Sequence, residues 1–327
     1  MPAADARAAM ASILAGEATT AQIAAFAAAL RVKGETAAEI QGLAQAMRDA
    51  AMPIVHGITD RPVLDTCGTG GDGQGTINVS TVVAIVVAAC GVPVAKHGNR
   101  SLSSQCGSAD LLEALGMKIL TDPVLIARSI CEVGFGFLFA PVMHQAMKYA
   151  QPARAELKTQ TAFNLLGPLT NPAGATAQLV GAPSVAAAEL MAVVLSNLGL
   201  VRGYVVHGHD GLDEVSTTGE SHVFGIVRGA IDHQMVTPEE FGVPRVRIAQ
   251  LRGGDVAANR DIAAGILRGE TGPCRDIVLV NASVALAAAG AVENFAGGMV
   301  VAAEAVDSGR AAAKLAEMVE FSREASR

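Results

Sequence analysis

Residues 64–110 gather the side chains most suited to chemistry. A short apolar strand, Pro62-Val63-Leu64, runs into a loop whose glycines are Gly68, Gly70, Gly71, Gly73 and Gly75. Glycines allow positive φ and close backbone approach, so successive N–H groups can converge on an anion, and a following helix N-terminus adds partial positive charge. Thr76-Ile77-Asn78-Val79-Ser80-Thr81 then places an amide and three hydroxyls before an apolar helix. Ser80 or Thr81 could simply be an N-cap. A second loop goes further, with the cations Lys96 and Arg100, the donors Ser101, Ser103, Ser104 and Ser108, and Gly107-Ser108 opening another helix. Two adjacent donor-rich loops imply a ligand with phosphates at two ends.

Gly68-x-Gly70-x-x-Gly73 formally matches the dinucleotide fingerprint. That fingerprint requires an acid about twenty residues on, to hold a ribose hydroxyl. No Asp or Glu lies between Gly73 and Ala109, and the loop lacks the Lys-Ser/Thr pair of a P-loop. Both nucleotide motifs are disfavoured.

Three further groups stand out. Asp213 and Glu214, in His209-Asp210-Gly211-Leu212-Asp213-Glu214, follow an expected strand; an isolated pair would read as a solvated turn, but beside phosphate loops it suits Mg²⁺ shared with substrate phosphates. His144, Met147 and Lys148 would share a helix face, which serves packing, hydrogen bonding or catalysis. Arg154 could fork onto a carboxylate or form a surface ion pair. Asn164 to Pro172 forms an apolar turn able to wall a pocket.

The elements that must position these groups fall into two kinds. Residues 1–55 read as helices only, with capping boxes at Thr19–Gln22 and Thr36–Glu39 ahead of apolar stripes Ile23, Phe26, Ala27, Leu30 and Ile40, Leu43, Ala44, Met47. From Pro62 the pattern alternates. Val63–Leu64, Pro93–Ala95, Gly134–Ala140, Gln178–Gly181, Tyr204–Val206 and Val223–Val227 read as strands, with helices at 82–90, 109–115, 123–132 and 184–198. This predicts an α/β fold: a large domain with a mostly parallel central sheet flanked by helices, plus a small all-helical N-terminal subdomain. Ligands then belong at the carboxyl ends of the strands. Arg245–Arg268 reads as surface loop and helix, and Asp276–Arg327 as helices.

Composition narrows the class. The 327 residues are 51% hydrophobic, much of it alanine, and the longest apolar run, Val82–Cys90, is too short to span a bilayer. No secretory leader pattern opens the chain, so a cytoplasmic enzyme is expected. Five cysteines without a C-x-x-C pair argue against a disulfide framework or zinc site. A net charge of −7 and 3% aromatic residues leave little for nucleic acid.

Taken in order, GTGGDG with TINVST, KHGNRSLSSQCGSADLLEALG, HQAMK through PAR to FNLLGPLTNP, GHDGLDEVS and the alanine-rich C-terminal helices resemble the anthranilate phosphoribosyltransferase family of tryptophan biosynthesis. The resemblance covers nearly the whole chain and implies a nucleoside phosphorylase/phosphoribosyltransferase type of fold. It implies that phosphoribosyl pyrophosphate is surrounded by Gly68, Gly71, Asp72, Thr76, Asn78, Ser80, Thr81, Lys96, His97, Gly98, Asn99, Arg100, Ser101, Leu102, Ser103, Ser104 and Ser108. Anthranilate would meet Gly68, Asn99 and Arg154, with His97, His144, Gly167 and Pro168 lining its channel. Ser80, Asp213 and Glu214 would ligate Mg²⁺, and no general base is required. The resemblance also implies a homodimer through a helical domain of residues 1–63, with a return segment within 165–195, and a donor-binding domain of 64–327.

Gln145, Lys158 and Gln160 depart from the family, which usually carries Pro, Gly and Arg there; these changes fall on the acceptor side. A pyrimidine-nucleoside phosphorylase is the nearest rival, though it would carry a K-x-S-G-R stretch where Lys96-His97-Gly98-Asn99-Arg100 stands. A catalytically silent, nucleic-acid-binding relative is the other, disfavoured by the net charge and the Asp213-Glu214 pair.

Overall fold

The computed structural model describes residues 1–70, 73–101 and 105–326. Three helices come first: α1 (Ala3–Leu14), α2 (Thr20–Lys33) and α3 (Ala37–Ala50). Both expected capping boxes form. Thr19 Oγ1 accepts from Gln22 N while Gln22 Oε1 accepts from Thr19 N, and Thr36 and Glu39 repeat the exchange. Satisfying these orphan N–H groups fixes where each helix starts.

The alternating region then unfolds as β1 (Leu64–Gly68), α4 (Val79–Ala89), β2 (Val94–Gly98), α5 (Ser108–Ala114), α6 (Pro123–Glu132), β3 (Phe135–Phe139), α7 (Ala140–Met143), α8 (Gln151–Leu157), α9 (Ala162–Leu166), β4 (Ala177–Gly181), α10 (Val185–Asn197) and β5 (Arg202–Gly208). The antiparallel strands β6 (Ser221–Val227) and β7 (Ala230–Val236) and the helices α11 (Val256–Leu267), α12 (Pro273–Ala288), α13 (Phe295–Asp307) and α14 (Arg310–Glu324) complete it. One seven-stranded sheet has the order β3-β2-β1-β4-β5-β6-β7, parallel from β3 to β5. Helices α8 and α9 pack on α2, and α9 and α10 on α3, so the chain returns to the helical unit after crossing the sheet.

Both sheet faces are buried, as parallel strands require. Leu64, Val94, Phe135, Leu179 and Val206 pack toward α4 and α12. Cys67, Val180, Val205 and Ile226 face the other way, with α10 and the helical unit, and Ala95 and Leu138 with α6. Helix α4 is buried all round, which explains a sequence of β-branched and alanine residues with no polar stripe. Among the described residues no helix is long and apolar enough to cross a membrane.

Three sequence expectations are corrected locally. Strand β1 runs four residues past Leu64, which carries Asp65 into the sheet. His144, Met147 and Lys148 share no α-helical face: α7 stops at Met143, His144 sits at φ −120 and ψ 54, and a 3-10 turn covers Gln145–Tyr149. The His144 ring packs against His97 instead of lying on a face with Met147 and Lys148. Strand β7 is not among the strands expected above, because its alternation of Ile231, His233 and Met235 with Asp232 and Gln234 is half polar. Its signal was the turn Arg228-Gly229, where both residues adopt positive φ.

Lys158 gives the first testable consequence. It caps α8 in the left-handed region at φ 48, a position that favours glycine. A non-glycine residue there costs roughly 1–2 kcal/mol, against which glycine gives back some unfolded-state entropy. Lys158→Gly is therefore expected to stabilise the fold by about 0.5–1 kcal/mol, read as a higher denaturation midpoint; a lower midpoint would refute the strain.

Candidate active site

From β1 the chain moves outward to β2 and β3, then returns to place β4 on β1's other side. Such a reversal opens a crevice beyond the carboxyl ends of the two central strands. There Gly68 pairs with Gly181. Both must be glycine because the loop after β5 lies directly on them. A Cβ on Gly181 would fall 1.6 Å from the Asp213 carbonyl oxygen, and one on Gly68 2.4 Å from Asp213 Oδ2. The same carboxylate oxygen accepts the Gly70 N–H at 2.8 Å. Gly70, Gly73 and Gly75 serve differently, supplying positive φ of 65, 72 and 65.

The loop bearing Asp213 and Glu214 is held from within. Asp210 Oδ2 accepts the hydroxyls of Ser216 and Thr218, each at 2.6 Å, and Oδ1 accepts Leu212 N at 3.2 Å. Gln74 Nε2, from the glycine loop, donates to Asp210 O at 2.7 Å. The two loops thus brace each other, and a carboxylate stands at the mouth of the glycine turn.

On the anion side, Asn78 occupies the N-cap of α4 but makes no side-chain cap; its amide donates to Cys106 Sγ at 3.1 Å. Val79 N donates to Ile77 O and Val82 N to Asn78 O, so among the described residues the N–H groups of Ser80 and Thr81, between them, have no backbone partner and can meet a ligand. Thr81 Oγ1 is buried without a partner among the described residues, and Ser80 Oγ accepts from Lys96 Nζ at 3.2 Å. Lys96 is only 1% exposed and also donates to Thr66 O. Desolvation lowers its pKa, opposed by the negative charges of Asp65, Glu214 and Asp213. Buried positive charge therefore lies under the anion cradle, facing carboxylates across it.

Other expected donor contacts are placed less directly. Arg100 is ion-paired with Asp110 and Glu113 on α5 and lies over Phe139. Ser101 N donates to Asp110 Oδ2, and Asn99 is exposed at the exit of β2, its Oδ1 accepting Arg100 N at 2.7 Å. Gly98 is closely approached by Phe137 and Ser108, where a Cβ would fall at 2.8 and 3.1 Å. Thr76 forms an isolated bridge with Arg252. Gly71, Asp72, Leu102, Ser103 and Ser104 lie outside the described residues.

The residues expected on the acceptor side form a second group. His97 Nδ1–H donates to Gly167 O at 3.1 Å, and the His97 and His144 ring centroids are 5.0 Å apart. Each Nε2 is buried with no hydrogen-bond partner among the described residues, a cost that a ligand would relieve. Pro168 is buried behind them, its carbonyl accepting Gln178 Nε2. Arg154, on α8, makes only a 3.5 Å contact with Gln151 Oε1 and no ion pair among the described residues. A cavity of about 320 Å³ opens beside the glycine loop, lined by Thr69, Gly70, Arg31, Gln160 and Asn164, among others. Gln160 thus lies on the cleft, and Arg31 of α2 donates to its carbonyl.

Burial holds the two imidazoles neutral, His97 at about 4 and His144, which also feels His97, at about 3. The sign follows from linkage. As pH falls below 6.5 the unfolded chain binds two protons that the native chain refuses, so stability present above pH 6.5 is lost towards pH 4. The melting temperature is expected to fall more steeply over that window in the wild type than in His97→Gln/His144→Gln. Equal slopes would mean that other groups control acid unfolding.

Three residues that sequence reading passed over hold the site from below. Asp65, fully buried, accepts His97 N at 3.0 Å and Asn171 Nδ2 at 2.8 Å, while Asn171 also donates to Ala95 O and Gln178 contacts Asp65 at 3.5 Å. This network ties the Gly167–Pro172 turn to β1 and β2. A carboxylate within an otherwise apolar strand was its only sequence signal.

Comparisons with known proteins bear on the family and the fold. Residues 60–312 match the family described as glycosyl transferase family, a/b domain, and residues 2–51 its helical bundle domain. The anthranilate phosphoribosyltransferase of Solibacter usitatus is 56% identical over 98% of this chain and 94% of its own. The crystal structure of the Thermus thermophilus anthranilate phosphoribosyltransferase superposes with a TM-score of 0.93 at 44% identity, covering 99% of this chain and 96% of that one. That of Saccharomyces cerevisiae, solved with PRPP and Mg, gives 0.88 at 27% identity, covering 98% and 93%.

Proposed function

Because the chain belongs to the anthranilate phosphoribosyltransferase family, we propose that it transfers the 5-phosphoribosyl group of phosphoribosyl pyrophosphate to the amino group of anthranilate, releasing pyrophosphate, in tryptophan biosynthesis. The observation that carries this reading is the meeting of three things in one crevice: the uncapped N-terminus of α4, the buried Lys96, and the carboxylate loop folded onto Gly68 and Gly181. The relatives favour this reaction over phosphorolysis of a nucleoside.

The aromatic amine is a neutral nucleophile. Its nitrogen bonds to C1 of the donor as the C1–O bond to pyrophosphate breaks, and the amine then loses a proton. The leaving group carries the largest charge demand. Lys96, Ser80, Thr81 and the N–H groups of α4 meet it in part, fixed before substrate arrives. Asp213, Glu214 and Ser80 fit a Mg²⁺ ion: two carboxylates and a hydroxyl are hard oxygen donors, and the glycines beneath Asp213 keep its carboxylate against the phosphate loop. Mg²⁺, when bound, neutralises phosphate charge. Arg154 grips the acceptor carboxylate, Asn99 orients its amine, and the neutral His97 and His144 line its channel, so that a two-body encounter becomes a step between held groups.

The protein acts as a homodimer joined through its helical unit, in the cytoplasm. Mixing it with anthranilate and phosphoribosyl pyrophosphate should remove anthranilate fluorescence and release pyrophosphate with Mg²⁺ present. No loss of anthranilate under those conditions would overturn the assignment.

A further inference from the structure

We propose that Arg252, from a segment far along the chain, is an additional contact for a donor phosphate. This rests on the donor reading above. Ile77 N donates to Leu251 O and Gly253 N to Gly75 O, both at 3.0 Å, so these bonds flank the Thr76–Arg252 pair. Directly opposed residues of that kind have their Cα atoms about 4.5 Å apart and their side chains close together on one face. Ile77 and Leu251 are both buried, which turns Thr76 and Arg252 away from the core. Thr76 stands three residues before α4, at the end where that helix lacks a side-chain cap and, among the described residues, Thr81 Oγ1 is buried without a partner.

The register is built in. Asn259 Oδ1 accepts Asn78 N at 3.2 Å while its Nδ2 donates to Gly254 O at 2.9 Å and Asp255 O at 3.1 Å, stitching the two segments together. Gly253 is required by this closeness: a Cβ there would lie 2.7 Å from Asn259 Oδ1 and 3.0 Å from Thr76 O.

Charge supplies the second argument. Nearby Arg245, Arg260 and Arg268 are paired with Glu239, Asp261 and Glu270. Arg252 is exposed and has no hydrogen bond or ion pair among the described residues. A guanidinium left unneutralised beside an uncapped helix start has the chemistry to bind a phosphate.

Calorimetric titration of phosphoribosyl pyrophosphate in Mg²⁺ buffer tests this without needing turnover. Arg252→Ala is expected to raise Kd about tenfold and Arg252→Lys only about threefold, with anthranilate affinity unchanged. The deficit should shrink between low and high salt, which loss of packing alone would not produce. Arg252→Gln carries the test should the alanine variant melt early. Ribose 5-phosphate and inorganic pyrophosphate, titrated separately, assign the end of the donor by which Kd rises. Wild-type binding with an unchanged alanine variant overturns the role of Arg252 alone. No binding by the wild type overturns the donor reading and this contact with it.

Discussion

Replacing Asp213 and Glu214 together, as Asp213→Asn with Glu214→Gln, is expected to lower kcat by roughly a thousandfold and to flatten the Mg²⁺ dependence of the remaining rate. The isosteric pair is the informative choice. Asp213 packs its backbone on Gly181 and its side chain on Gly68, and accepts the Gly70 N–H, so truncation to alanine would disturb the glycine loop as well as remove charge. The amide retains shape and an acceptor oxygen while removing the negative charge that a hard cation requires. The surrounding loop should hold, since its shape comes from Asp210 bonding Ser216 and Thr218. Initial rates across a Mg²⁺ titration, at saturating anthranilate and donor, give the readout. A curve superimposable on the wild type would take these residues out of the metal site.

Residues 64–110 make the proposed anion cradle legible in the sequence, because glycines, hydroxyls and a lysine in a short span signal phosphate without help from the rest of the chain. The alternation of strands and helices likewise gave the α/β class, and both N-terminal capping boxes were readable at their first turns. What remained hidden depends on distance along the chain. Asp65 reads as an oddity in a strand until Asn171 and Gln178, more than a hundred residues later, are seen to bond it. Gly181 reads as a strand end until Asp213 is found on top of it. Arg252 reads as a solvated charge until its bridge to Thr76 is formed. Arg100 shows the reverse, a cation legible in the loop whose charge is engaged by Asp110 and Glu113. Local chemistry is written in local residues, whereas the pairing of neutralising and bracing groups is written only in topology.

Arg154→Ala is expected to raise the anthranilate KM by roughly 10–100-fold while changing the donor KM less than about twofold, the range expected from losing a charge-assisted fork worth about 1.5–3 kcal/mol. Burial lowers the pKa of Arg154, so the protein holds this cation at a cost, and among the described residues only a 3.5 Å contact to Gln151 offsets it. A carboxylate arriving from the acceptor would relieve that cost, which is why the effect should concentrate on one substrate. Stability should change little, because α8 anchors itself through Ala153 rather than through the guanidinium. Arg154→Lys should recover only part of the loss, since an ammonium cannot reproduce the planar two-bond fork. Full two-substrate kinetics distinguish the outcomes. Equal increases in both KM values would mean that Arg154 shapes the crevice as a whole, and the carboxylate of anthranilate would then have to be held elsewhere.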